Sequence, residues 1–204
     1  MKPQIFVIHG GNAFNSYEEY IDYLREKTVS LDKLSYHDWK HGLAGVLGEG
    51  YEVILPQMPN ASNARYLEWK IYFEKFIPLL HDGVVLVGHS LGGIFLVKYL
   101  SEEKFPKEIS GVFLVAAPFN TATEHPLADF NITTPDLRGL GEQAEKIFLY
   151  HSHDDEVVPF SNFERYVALL PRATQRIFAD RGHFNEDDFP ELVGDIKSVD
   201  ADSI

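Results

Sequence analysis

Residues 84–93, Val-Val-Leu-Val-Gly-His-Ser-Leu-Gly-Gly, run an unbroken apolar stretch into a serine flanked by glycines two positions to either side. An apolar run without polar alternation suits a strand buried on both faces, as in a parallel sheet covered by helices. The next residues, Ile94-Phe95-Leu96-Val97-Lys98-Tyr99-Leu100, suit a buried helix. Ser90 therefore falls at a strand-to-helix junction, where Gly88 and Gly92 remove the side chains that a sharp reversal would crowd. Such a turn holds a hydroxyl above the carboxyl edge of a sheet, beside the positive end of a helix.

The remaining segments keep the same alternation. Ile5-Phe6-Val7-Ile8 reads as a first buried strand ending in the turn His9-Gly10-Gly11-Asn12. Ser16 and Glu19 form a capping box ahead of Tyr17, Tyr20, Ile21 and Leu24, which share one helical face. Residues 27–38 are polar and irregular, and Trp39 to Leu47 suits a short helix stopped by Gly48. Tyr51 to Leu55 is a second strand with Pro56 at its exit. Tyr66, Trp69, Phe73, Phe76, Ile77 and Leu80 keep helical spacing up to a bend at Pro78, and this aromatic stripe reads as core. Residues 111–117 make a fourth strand and Lys146 to Tyr150 a fifth. Ser161 and Glu164 suggest another capped helix, Gln175 to Ala179 a sixth strand, and Phe189, Leu192, Val193 and Ile196 a last helix. Strands alternating with helices imply a mainly parallel sheet with helices on both faces, an α/β/α sandwich of six strands. At 204 residues the whole chain, 1–204, is expected to form one domain. Residues 118–141, rich in Thr, Pro, Gly and Asn, form a long connection that could serve as a lid, with Phe119, Leu127 and Phe130 as candidate pocket lining.

A net charge of −13 without a basic stripe argues against nucleic acid and anionic membrane surfaces as partners. No run approaches the roughly 20 apolar residues of a membrane span. The start leads straight into a strand rather than a leader, so a cytoplasmic location is expected and the Asn-x-Ser/Thr matches at Asn60 and Asn131 are taken as accidental. The absence of cysteine removes disulfides, thiol nucleophiles and thiolate metal sites.

A serine hydroxyl becomes a useful nucleophile when a neutral imidazole accepts its proton and a carboxylate fixes that imidazole. Later strand ends supply both partners: Asp154 and Asp155 follow the fifth strand and His183 the sixth. The three stretches Gly88-His89-Ser90-Leu91-Gly92-Gly93, His153-Asp154-Asp155-Glu156-Val157-Val158-Pro159 and Gly182-His183-Phe184 resemble the catalytic stretches of the α/β-hydrolase superfamily. Within it, the chain is most similar to the small lidless serine hydrolases and the retinoblastoma-binding serine hydrolase group. The resemblance implies a minimal α/β-hydrolase fold, strand order 2-1-3-4-5-6, a Ser90–His183–Asp155 triad with Asp154 as fallback acid, and no cofactor.

An oxyanion hole needs two fixed donors, and the Leu91 N–H is one by position. The family's His-Gly-x turn after the first strand implies Gly11 as the other, with Asn12 as a substitute through its N–H or its amide. His9 and His89 are read as bracing groups. His151-Ser152-His153-Asp154-Asp155 also matches the first five positions of a zinc-hydrolase pattern, His-x-His-x-Asp-His, but Glu156 stands at the sixth. His37, His41, His81 and His125 have no ligand spacing. The sequence thus points to a serine hydrolase of small carboxylic esters or thioesters, a small-molecule acyl substrate being the expected partner. The rival reading is a protein-interaction module that keeps the scaffold with little turnover.

Overall fold

A computed structural model describes residues 1–31, 37–119, 126–132 and 136–201. Its frame is a six-stranded sheet of order β2-β1-β3-β4-β5-β6, with every pairing parallel. The strands are β1 (Gln4–Ile8), β2 (Glu52–Ile54), β3 (Val84–His89), β4 (Ile109–Val115), β5 (Ala144–Ser152) and β6 (Thr174–Phe178). The α-helices are α1 (Tyr17–Glu26), α2 (Trp39–Leu47), α3 (Tyr66–Glu74), α4 (Leu91–Glu102), α5 (Arg138–Gln143), α6 (Ser161–Leu169) and α7 (Pro190–Ala201).

Strand pleating sorts the core into two layers. Phe6 and Ile8 of β1 with Leu86 of β3 share one core layer with Phe73 of α3, Phe95 of α4 and Phe163 of α6. Ile5 and Val7 with Val85 and Val87 face α2 and α7, where they meet Trp39, Leu43, Leu192 and Ile196. Alternate residues on each strand therefore fill opposite cores, which is why these strands carry no polar alternation. Burying each such side chain contributes about 1.5–3 kcal/mol. The edge strand β6 is half-buried. Among the described residues no helix is long and apolar enough to cross a membrane.

Local outcomes follow the sequence closely, with instructive departures. Ser16 caps α1 by accepting the Glu19 N–H, and Gly48, at φ 83°, closes α2. The α3 stripe breaks at Lys75 and resumes as a tight turn over Ile77–Leu79 around Pro78. Ser161 does not cap α6: the helix starts on it, the preceding Phe160 is already helical, and no side chain caps the end. The Asn162 amide and N–H instead tie back to the Pro159 carbonyl. The segment 118–141 is not uniformly loop, because it contains a turn at Ala128–Phe130 and most of α5. Gly139 lets α5 sit on α4, since a Cβ there would lie 3.1 Å from the Leu100 carbonyl. Phe119 and Phe130 are core rather than lining, Phe130 packing edge-on against Tyr66 and Trp69. Residues 120–125, which include His125, and 133–135, all within the segment expected as a lid, lie outside the described residues.

Candidate active site

The carboxyl edge of the sheet carries a cavity of about 940 Å³ that Ser90, Leu91, Gly11, His89 and His183 all line. Ser90 joins β3 to α4 at φ 53° and ψ −122°, a conformation that L-residues rarely hold. Its N–H donates to the Val115 carbonyl at 2.8 Å, which anchors the turn to β4. The glycines make the turn possible. A Cβ on Gly88 would lie 2.5 Å from the Gly92 carbonyl, and one on Gly92 would overlap the Ile8 carbonyl and lie 2.7 Å from that of His9.

The β1 turn lies against this junction, since a Cβ on Gly10 would come within 3.1 Å of the Ser90 Cβ. Among the described residues the Leu91 and Gly11 N–H groups donate no hydrogen bond. Asn12 is different: its N–H donates to the Ala61 carbonyl at 2.8 Å, and its amide nitrogen faces the Tyr23 hydroxyl at 3.4 Å. Its N–H is thus spent on holding the turn, and Asn12 is no substitute for Gly11 through it. His9 braces the same turn, accepting the Met58 N–H on Nε2 at 2.9 Å and donating from Nδ1 to the Gly10 carbonyl at 2.6 Å. That pattern requires a neutral ring, and burial accordingly pushes its pKa below the ordinary value.

Asp155 is wholly buried and faces the His183 Nδ1 with Oδ2 at 2.8 Å and Oδ1 at 3.1 Å. Oδ1 also accepts the N–H groups of Val157 and Val158, both at 2.9 Å. A carboxylate on Nδ1 keeps the proton there and leaves Nε2 as the acceptor. Asp154 is turned elsewhere: it accepts the Ser152 hydroxyl at 2.5 Å and the Gly182 N–H at 2.8 Å. Of the two neighbouring acids, one holds the ring of His183 and the other the backbone before it. Among the described residues no hydrogen bond closes between Ser90 and the His183 ring. Bonds of this kind are often long until a substrate is seated.

The zinc pattern finds no site. His151 donates from Nε2 to the Val158 carbonyl at 2.8 Å, His153 stacks on Phe160 with ring centroids 4.0 Å apart, and both aspartates are engaged as above. Among the described residues no group of three His, Cys, Asp or Glu side chains is placed to hold a metal ion.

One cluster escaped the sequence reading. Lys40 is buried at the cavity wall, paired with Asp38 and 3.2 Å from the His89 Nδ1. His89 Nε2 donates to the His183 carbonyl at 2.9 Å. A sequence signal existed, because a lysine in the first turn of a helix opposes the helix dipole and needs a reason to be there.

Comparisons with known proteins agree with this architecture. YdeN of Bacillus subtilis (strain 168) is 26% identical over 189 residues, covering 92% of this chain and 89% of YdeN. Its crystal structure superposes with a TM-score of 0.74 at 22% identity, covering 98% of this chain and 100% of that one. Serine hydrolase RBBP9 of Rattus norvegicus is 24% identical over 152 residues, covering 74% of this chain and 78% of RBBP9. The thioesterase domain from the curacin biosynthetic pathway shares the fold at a TM-score of 0.65 and 14% identity, covering 97% of this chain and 91% of that domain. Taken with the six-stranded parallel sheet, these likenesses identify a minimal α/β-hydrolase fold. Residues 36–191 match the serine hydrolase family, a span that takes in Ser90, Asp155 and His183, and the chain belongs to that family.

Proposed function

We propose that this chain is a single-domain serine hydrolase of small carboxylic esters or thioesters, acting through an acyl-enzyme on a Ser90–His183–Asp155 triad. The observation that carries the reading is the buried Asp155 on the His183 Nδ1, in a cavity that Ser90 and His183 both line. The Ser90 hydroxyl attacks the substrate carbonyl and its proton passes to the His183 Nε2, while Asp155 stays ionised and steadies the imidazolium. The Leu91 and Gly11 N–H groups receive the developing oxyanion. Collapse expels the alcohol or thiol, protonated by His183. A water deprotonated by the same ring then releases the acid and restores Ser90. The cavity lining also includes Leu55, Pro56, Met58, Ala61 and Leu127, apolar side chains that suit a short acyl chain. The thioester alternative draws on the shared fold of a thioesterase domain.

The test is labelling with a fluorophosphonate probe together with turnover of p-nitrophenyl acetate, for native protein and for Ser90→Ala. Labelling and turnover lost together in Ser90→Ala support the reading. A folded native protein that neither labels nor turns over would overturn it.

A further inference from the structure

We infer that Lys40 is a positioning residue for the proton-accepting turn: it fixes His89 in one neutral tautomer, and His89 fixes the main chain of His183. This rests on the hydrolase reading above, which gives His183 its role.

An ammonium can only donate, so the His89 Nδ1 facing Lys40 Nζ at 3.2 Å must accept. A carbonyl can only accept, so the His89 Nε2 facing the His183 oxygen at 2.9 Å must carry the hydrogen. One tautomer satisfies both bonds, whereas the protonated ring would keep the bond to the His183 carbonyl and lose the one from Lys40. The groups facing His89 are Lys40, beside Asp38, at the start of α2, His183 in the turn after β6, and His9 after β1. Burial, and after it the charge of Lys40, push the His89 pKa down, against a smaller upward effect of the bond to the His183 carbonyl. Asp38 offsets the charge of Lys40 and accepts its N–H, which holds the ammonium in place.

The same helix end grips the rest of the turn. The Trp39 indole N–H donates to the Phe184 carbonyl at 3.0 Å, and the Trp39 N–H donates to that of Glu186 at 2.8 Å. Phe184 itself stands at φ 54°, so the chain leaving His183 is strained and needs holding. Carbonyls 183, 184 and 186 are therefore all tethered to residues 39 and 89, with Lys40 holding the His89 ring that makes the first of these bonds. The His89 and His183 ring centroids are 5.0 Å apart. A proton on His89 would oppose the charge that His183 takes from Ser90, and Lys40 occupies the one atom that could receive it.

The experiment compares Lys40→Met, which removes the donor, with Lys40→Arg, which keeps one. The readouts are p-nitrophenyl acetate kinetics and the low-field proton resonance of the His183 Nδ1–H on Asp155. Misplacement of a reacting group by about 1 Å costs on the order of a hundredfold in rate. Lys40→Met is therefore expected to lower kcat between roughly tenfold and a hundredfold with KM within about twofold, and to broaden the resonance. Lys40→Arg is expected to restore much of both. Should Lys40→Met fail to fold, His89→Gln and His89→Leu replace it. Glutamine can accept from Lys40 and donate to the His183 carbonyl, so only the leucine variant should lose rate and resonance. Native kcat and a sharp resonance in Lys40→Met, or in His89→Leu, would overturn the proposal. The resonance needs no turnover, so a native protein that fails to hydrolyse would count against the hydrolase reading while the Lys40 coupling is still decided.

Discussion

Asp155 meets His183 across 2.8 Å from within a loop whose own backbone N–H groups, at Val157 and Val158, saturate the other side of the same carboxylate. The carboxylate is thereby held by its own loop as well as by the ring. Asp155→Asn keeps the size but removes the charge and lets the imidazole adopt the wrong tautomer. Turnover of p-nitrophenyl acetate is expected to fall by on the order of 10³–10⁴. Asp154→Asn, which weakens the bonds from the Ser152 hydroxyl and the Gly182 N–H but leaves the His183 ring on Asp155, is expected to cost less than about a hundredfold. Steady-state kinetics of the two variants check the order.

Acid should destabilise this fold earlier than carboxylates alone would. His89 and His151 are buried and held neutral, with pKa values below the ordinary 6.5 and burial as the main cause. As the pH drops below about 6.5 the unfolded chain binds protons on these rings and the folded chain does not, so stability falls. The slope approaches about 1.4 kcal/mol per pH unit for each ring kept neutral. Urea unfolding at pH 7.5, 6.5 and 5.5 should show a midpoint that decreases at each step.

Two glycines should respond oppositely to alanine. At Gly92 the new methyl would drive into the Ile8 and His9 carbonyls, and overpacking of this kind costs about 1–3 kcal/mol, here with loss of turnover because the β1 turn must move. At Gly45, inside α2, nothing lies within 4 Å of the added Cβ. Gly45→Ala should stabilise by about 0.4–1 kcal/mol and leave turnover unchanged, as thermal melts and rate assays would show.

Metal removal should leave the activity intact. The donors of the His151–Asp155 segment are committed to the Val158 carbonyl, Phe160, Ser152, Gly182 and His183. Dialysis against EDTA is expected to change p-nitrophenyl acetate turnover by less than about twofold, since the proposed chemistry runs on general base and nucleophile alone.

The strand-to-helix junction at Ser90 and the alternation of elements were legible in the sequence because both faces of the central strands are buried, leaving long apolar runs. Segment ends were less so: the fourth strand, expected over 111–117, runs Ile109–Val115, with Ala116 leaving it at φ 46°. The helix α5 was hidden by Gly139, whose purpose is tertiary, a close approach to α4. The choice between Asp154 and Asp155 came from the resemblance, and spacing alone left it open. Lys40 offered only the signal of a cation at a helix start, and its role stayed hidden because its partner His89 is 49 residues away and tertiary packing alone unites them.

Strand β6 has one neighbour, β5, and closes the sheet at its edge. The turn that bears His183 hangs from this half-buried strand, whereas Ser90 follows a strand flanked on both sides. Folding must therefore complete at the margin before the pair can meet, and fraying of that margin parts them while the centre stays intact. Recovery of turnover after dilution from denaturant would then time the docking of the last strand, and lag behind the recovery of central-strand amide protection.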